Sequence, residues 1–247
     1  METLKAVYIN EIFKLSKKKK ITGAIIFSIL SVIISAIGVY ILNTFAGVKI
    51  TGSSQFSIML LGILGNTIFP LFTTFIAIDM FAGELADNTI KITLTGPASR
   101  FKVFIGKVLA IATFIMGNLI FVMLLSVIAS LFINRGISNP ITIFIAYLMA
   151  FLPIFIYALV VVLISNVAKG PSSTFMFSVF IFLLFNGLSL IFPQINSFLF
   201  TSTFDWYRLV LGSYINFGKI FRIFLILLGY GTMLLAGSYY LFEKRDI

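Results

Sequence analysis

The chain has 247 residues, 60% of them hydrophobic and 11% charged, with a mean hydropathy of +1.12 and a formal net charge of +10. A soluble domain carries about a quarter charged residues, so the apolar excess is lipid-facing surface and not a large core. Cysteine and histidine are absent, which excludes disulfides, thiol chemistry and the commonest acid–base group and metal ligand; the basic residues flank apolar blocks, a pattern of membrane topology and not of nucleic-acid binding.

At the N-terminus, Leu4, Val7, Tyr8, Ile12 and Leu15 recur at helical spacing, with Lys5, Glu11 and Lys14 assigned to other faces. This predicts an amphipathic helix within residues 1–20, lying in the cytoplasmic interface. The Lys17–Lys20 run that follows precedes no cleavage-site pattern. It reads as a topology anchor attracted to anionic lipid, or alternatively as a site for a specific partner.

Beyond it, six uncharged stretches predict an all-α polytopic membrane protein with spans at 21–42, 56–78, 108–133, 141–164, 172–192 and 221–241. Each holds the roughly 20 apolar residues that cross a bilayer. Together they make a single transmembrane domain over 21–247, with a cytoplasmic loop at 79–107 and an extracytoplasmic segment at 193–220. Ala24/Ser28 and Ser31/Ser35 have the small-residue spacing of close helix contact. Gly62, Gly65 and Pro70 are positioned to kink or interrupt the second span. An even number of spans places both termini on one side. That side gathers thirteen of the 18 Lys and Arg residues, which the positive-inside rule makes cytoplasmic.

Polar groups within the spans are few. Asn66 and Thr73 in the second, Asn118 in the third and Asn186 in the fifth either hydrogen-bond between helices or line a substrate pathway. In 193–220, Asp205, Arg208, Gly212, Asn216 and Lys219 form a polar stripe at helical spacing, and Phe204, Tyr207, Leu211 and Tyr214 an apolar one, with Trp206 beside it. Thr201, Ser202 and Thr203 are candidate N-caps. The spacing predicts a helix in the outer interface, in which Trp206, Tyr207 and Arg208 act either as an aromatic-belt anchor or as a gate.

No nucleotide-binding P-loop is present: Gly106-Lys107 is followed by Val108, and Gly218-Lys219 by Ile220. As drawn, the spans hold no Asp, Glu, His, Lys or Arg apart from Arg222 at the edge of the last, so neither an ion relay nor a membrane hydrolase has its chemistry at depth. The chain is not an enzyme by this reading. Whatever it moves, another subunit supplies the work.

The polar interval 79–107 carries the remaining signal. The second helix runs past Asp79 to Glu84, Asn88-Thr89 favours a turn, and Thr95-Gly96-Pro97 starts a helix that carries Arg100, Lys102 and Lys107 into the third span. Read alone, this is a helical hairpin obeying the positive-inside rule. Yet Glu84, Asn88-Thr89-Ile90-Lys91, Leu94-Thr95, Pro97-Ala98-Ser99-Arg100 and Lys107 resemble the first cytoplasmic loop of the ABC-2-type permease family, with Asn88 where glycine is usual and Thr93 more polar than is common. The six-helix layout and its flanking helices extend the resemblance over the whole chain.

The resemblance implies a permease subunit of an ATP-driven exporter in a bacterial plasma membrane. Glu84, Lys91, Pro97, Ser99 and Arg100 would form the coupling region against the ATPase. A second permease chain, identical or different, would complete the pathway, with two ATP-binding subunits carrying ATP and Mg; this chain itself would hold no cofactor, metal or nucleic acid. The implied cargo is amphipathic or hydrophobic, such as an antimicrobial peptide, toxin or antibiotic. A non-transporting immunity or sensory subunit is the alternative, followed by an ion-coupled carrier.

Overall fold

Inside a bilayer every backbone N–H and C=O needs a partner within its own segment, so long apolar runs close into helices. The computed structural model describes residues 2–45, 56–90, 98–134, 139–192, 194, 199–212 and 215–245. Its long helices are α1 (Glu2–Ser16), α2 (Lys19–Phe45), α3 (Phe56–Asn66), α4 (Ile68–Ile78), α5 (Arg100–Asn134), α6 (Pro140–Val167), α7 (Pro171–Ile191) and α8 (Phe217–Lys244). Six helical segments are long and apolar enough to span a membrane, namely α2, Ile68–Ala86, Arg100–Ile133, α6, Pro171–Ser189 and α8.

The second span, expected over 56–78, is interrupted just before Pro70, one of the positions able to break it. Pro70 lacks an N–H, and its ring crowds the carbonyl four residues back, at Asn66. The helix ends there; Thr67 takes φ −126° and ψ −66°, and α4 restarts with Pro70 in its first turn, where a missing donor costs nothing. The Pro70 carbonyl accepts from both Thr73 Oγ1 and Thr74 Oγ1 at 2.8 Å. At its other end α4 widens into a π-turn, Asp79–Gly83, followed by one α-turn, Glu84–Ala86.

Helix α6 is the centre of the bundle and packs against α4, α5, α7 and α8. Its two fully buried tyrosines hold neighbours by hydrogen bonds. Tyr147 Oη donates to Ser57 O at 3.1 Å and lies 3.3 Å from Ser126 Oγ. Tyr157 Oη donates to Ser178 O at 3.1 Å and lies 3.1 Å from Thr74 Oγ1. By contrast α2, α7 and α8 are mostly exposed and apolar.

The 193–220 segment is not the single helix expected. Residues 199–212 make two short 3₁₀ turns, Phe200–Thr203 and Trp206–Val210, and the last residues of the segment already belong to α8. Ser202 and Thr203 donate to the carbonyls of Leu199 and Phe200, three residues back, so they do not cap a helix N-terminus. The reason lies in α6. Pro153 leaves the carbonyl of Met149 without its helical donor, and Trp206 Nε1 fills that place at 2.9 Å. Trp206 and Tyr207 are therefore buried, and the polar stripe ends as an Asp205–Arg208 pair at the surface. Tyr214 lies outside the described residues.

Helix α1 also departs from expectation. The face carrying Val7, Tyr8, Ile12 and Leu15 packs on α5 and not on lipid. Glu11 sits seven residues after Leu4, hence on that same inward face, and is buried; Ile9 and Phe13 point outward instead. The backbones approach at Gly106, where an added Cβ would come within 2.7 Å of Val7 Cγ1 and 3.5 Å of Tyr8 N. Gly106→Leu should destabilise the docked helix by about 1–3 kcal/mol through overpacking, seen as a lower melting temperature in detergent and earlier proteolysis at α1. Trp206→Phe should cost about 1 kcal/mol at the opposite end, since the Met149 carbonyl loses its donor; the same melting assay reads it.

Candidate functional site: the charged end of the bundle

Three elements meet at a buried ion cluster. Lys107 lies about 10 Å along α5 from its start, with no exposed surface. Its ammonium pairs with Glu11 Oε2 of α1 at 3.0 Å and with Glu84 Oε2 after the π-turn. Lys14, half-buried, reaches both carboxylates as well, at 3.2 Å from Glu11 and 3.6 Å from Glu84. Two carboxylates and two ammonium groups thus neutralise one another, which is the condition for keeping such charges out of water. Within the helix expected to carry it into the third span, Lys107 has no exposed surface, and its ionic partners make that burial tolerable.

A second ionic clasp lies beside the first. Asp79 opens the π-turn and receives Lys18 at 2.8 Å and Lys20 on its two oxygens, so the start of α2 is tied to the end of the second span. Lys102 donates to Thr3 Oγ1 at 2.7 Å, fixing the start of α1 to α5.

Arginines close the opposite flank. Arg100 Nη1 donates to the carbonyls of Glu243 and Arg245, at 2.7 and 3.2 Å. Arg245 Nη1 in turn donates to Ser165 O at 3.0 Å and Asn166 O at 3.1 Å, and its Nη2 to Ala168 O at 3.3 Å. Both guanidiniums satisfy carbonyls that helix geometry leaves unpaired at a C-terminus, and both sit at the negative end of a helix dipole. Arg100, Arg245 and the end of α6 therefore form one connected chain.

The coupling residues expected from the sequence divide accordingly. Glu84 is inside the ion cluster, Arg100 is exposed at the α8 carbonyls, and Ser99 is exposed with its carbonyl accepting from Val103 N. Lys91 and Pro97 lie outside the described residues. Asn88 has φ 56°, a left-handed conformation that glycine and asparagine tolerate best; this accounts for asparagine at a position where the resembled family has glycine.

The polar groups proposed for a pathway are not brought together. Asn66 Nδ2 donates to Asp205 Oδ1 at 3.0 Å, Thr73 is tied to Pro70, Asn118 Oδ1 accepts from Ser28 Oγ at 3.2 Å, and Asn186 Nδ2 bonds the carbonyl of Phe182 one turn back. Among these, Asn186 is half-buried, whereas Thr73 and Asn118 are buried. Arg208, in the proposed gate, is exposed and paired with Asp205 at 3.3 Å; burial pushes the Tyr207 phenol above its ordinary pKa, keeping it a neutral hydrogen-bonding group. Among the described residues no three acidic, His or Cys side chains converge as a metal site.

Sequence reading missed Glu11, Lys107 and Arg245 as partners. The heptad step from Leu4 to Glu11, and Lys107 set between apolar residues on both sides, were the available signals; Arg245 left none beyond its charge.

These features define a polytopic helical membrane protein with its ionic machinery gathered at one end. The family model described as ABC-2 family transporter protein matches residues 5–247, and the chain belongs to that family: it is the membrane-embedded permease subunit of an ABC transporter. No curated protein matches it.

Lys107→Ala should cost about 3–5 kcal/mol, because Glu11 and Glu84 would face each other with only half-exposed Lys14 to compensate. Glu84→Gln should cost clearly less, since Glu11 still pairs with Lys107. Melting of the purified chain in detergent tests the order; equal losses would show that the cluster is not ionically coupled.

Proposed function

We propose that the chain forms half of the pathway of an ATP-driven exporter whose cargo is amphipathic or hydrophobic, such as an antimicrobial peptide, toxin or antibiotic. Residues 79–107 and both termini face the cytoplasm of a bacterial cell, where two ATP-binding subunits carrying ATP and Mg dock. A second permease chain covers part of the apolar surface left open by α2, α7 and α8. Glu84, Lys91, Pro97, Ser99 and Arg100 serve as the coupling region, in a mechanical and electrostatic role.

The observation carrying this reading is that both ends of the 79–107 interval are anchored by ions. On one side Asp79 and Glu84 are held by lysines of α1, α2 and α5; on the other, Arg100 is bonded to the end of α8. A push on that interval is therefore delivered to the bundle at several helices at once. Spans whose charged residues are confined to their ends suit a greasy cargo better than a sugar.

The test is cargo-stimulated ATP hydrolysis by the complex with its ATPase. Arg100→Ala should reduce stimulation between about two- and thirty-fold, the range of coupling energies carried by such contacts, while basal hydrolysis by the ATPase persists. Unchanged stimulation, or resistance to the cargo that survives an inactive ATPase, would overturn the coupling assignment.

A further inference from the structure

We propose that the cleft between the α1–α2 elbow and the π-turn binds the headgroup of an aminophospholipid, with a phosphate on its lysine wall and a primary ammonium at Asp87. The cleft has a volume of about 500 Å³, with Lys14, Lys18, Lys19 and Lys20 on one side and Asp79, Glu84 and Asp87 on the other. That is within the size range of small-molecule sites.

Most of these charges are already matched. Lys14 is held by Glu11 and Glu84, and Lys18 and Lys20 by Asp79. Lys19 and Asp87 are the exceptions: both are exposed, and among the described residues neither forms an ion pair, with each other or with anything else. Two unmatched groups of opposite sign facing one cleft call for a ligand carrying both charges. The positive end is further enriched because Lys18 and Lys20 share a single carboxylate, which leaves an excess ammonium beside Lys19 for a phosphate to meet.

Depth points to a lipid. Lys19 is the first residue of the α2 span, and exposed Ile25, Ile26, Phe27 and Leu30 follow it along the helix. A headgroup at Lys19 would therefore have its acyl chains against α2, at the level where lysines meet phospholipid. Phosphatidylglycerol offers the phosphate but no ammonium for Asp87. Phosphatidylcholine offers a quaternary ammonium without N–H donors. Only the amino headgroup satisfies both ends. This site does not depend on the proposed cargo or on coupling to an ATPase.

The experiment is native mass spectrometry of the delipidated full-length chain in detergent, titrated with phosphatidylethanolamine, phosphatidylglycerol, phosphatidylcholine and glycerophosphoethanolamine. Phosphatidylethanolamine should be retained about fivefold better than either other lipid, one surface charge contact's worth. Lys19→Gln should lower retention of both phosphatidylethanolamine and phosphatidylglycerol about fivefold. Asp87→Asn should bring phosphatidylethanolamine down to the phosphatidylglycerol level and leave phosphatidylglycerol unchanged. Equal retention of phosphatidylcholine, indifference to Asp87→Asn, or saturation by glycerophosphoethanolamine at the concentration where the lipid saturates would overturn the site. So would a Lys19→Gln chain that keeps its lipid but no longer co-purifies with the ATP-binding subunit, since the cleft would then be a protein-docking surface.

Discussion

A lysine without exposed surface, held between two glutamates from different helices, is the constraint on which the charged end of this bundle depends. Lys107 brings α1, the end of the second span and the start of α5 to one point. Apolar packing alone would let α1 slide or lift, because hydrophobic contact is non-directional. A buried ion pair has one acceptable geometry, and leaving it exposes uncompensated charge to a low-dielectric interior. Glu84 therefore fixes where the second span ends, and Gly106, one residue before Lys107, lets α1 come close enough for Glu11 to reach.

Around that point the chain repeatedly meets a backbone deficit with a side chain from another element. Pro153 frees the Met149 carbonyl, and Trp206 takes it. The carbonyls closing α6 and α8 are met by Arg245 and Arg100. Trp206 answers the absence of water at depth, and the two arginines answer the carbonyls that a helix C-terminus leaves unpaired. Each also joins segments distant in sequence, so the irregular places in the helices are the places where the bundle is tied together.

This explains what the sequence could and could not disclose. Span number is legible because a run of about 20 apolar residues has few other uses, and the break in the second span is foreshadowed by Pro70. The 200–210 region is not legible as 3₁₀ turns: its residues do have helical spacing, but the decisive partner, the Met149 carbonyl, belongs to a helix some fifty residues away. Glu11 shows the same limit. Read by periodicity among its neighbours it is one more charge on a basic helix, although its place one heptad after Leu4 puts it on the packed face; only the burial of Lys107 gives that position a meaning. Asn88 is the converse case, where a departure from the family's glycine is harmless because both residues accept the left-handed turn.

The same ionic frame bears on how force would travel. A coupling element on a hinged loop would spend motion on bending the loop. Here the interval 79–107 leaves through Asp79 and Glu84, clasped to α1, α2 and α5, and returns through Arg100, bonded to α8, whose own Arg245 holds the end of α6. Displacing either end disturbs charged contacts on helices from both halves of the chain. Because packed interiors respond by switching between arrangements and not by continuous deformation, such a frame favours concerted movement of the bundle over local yielding.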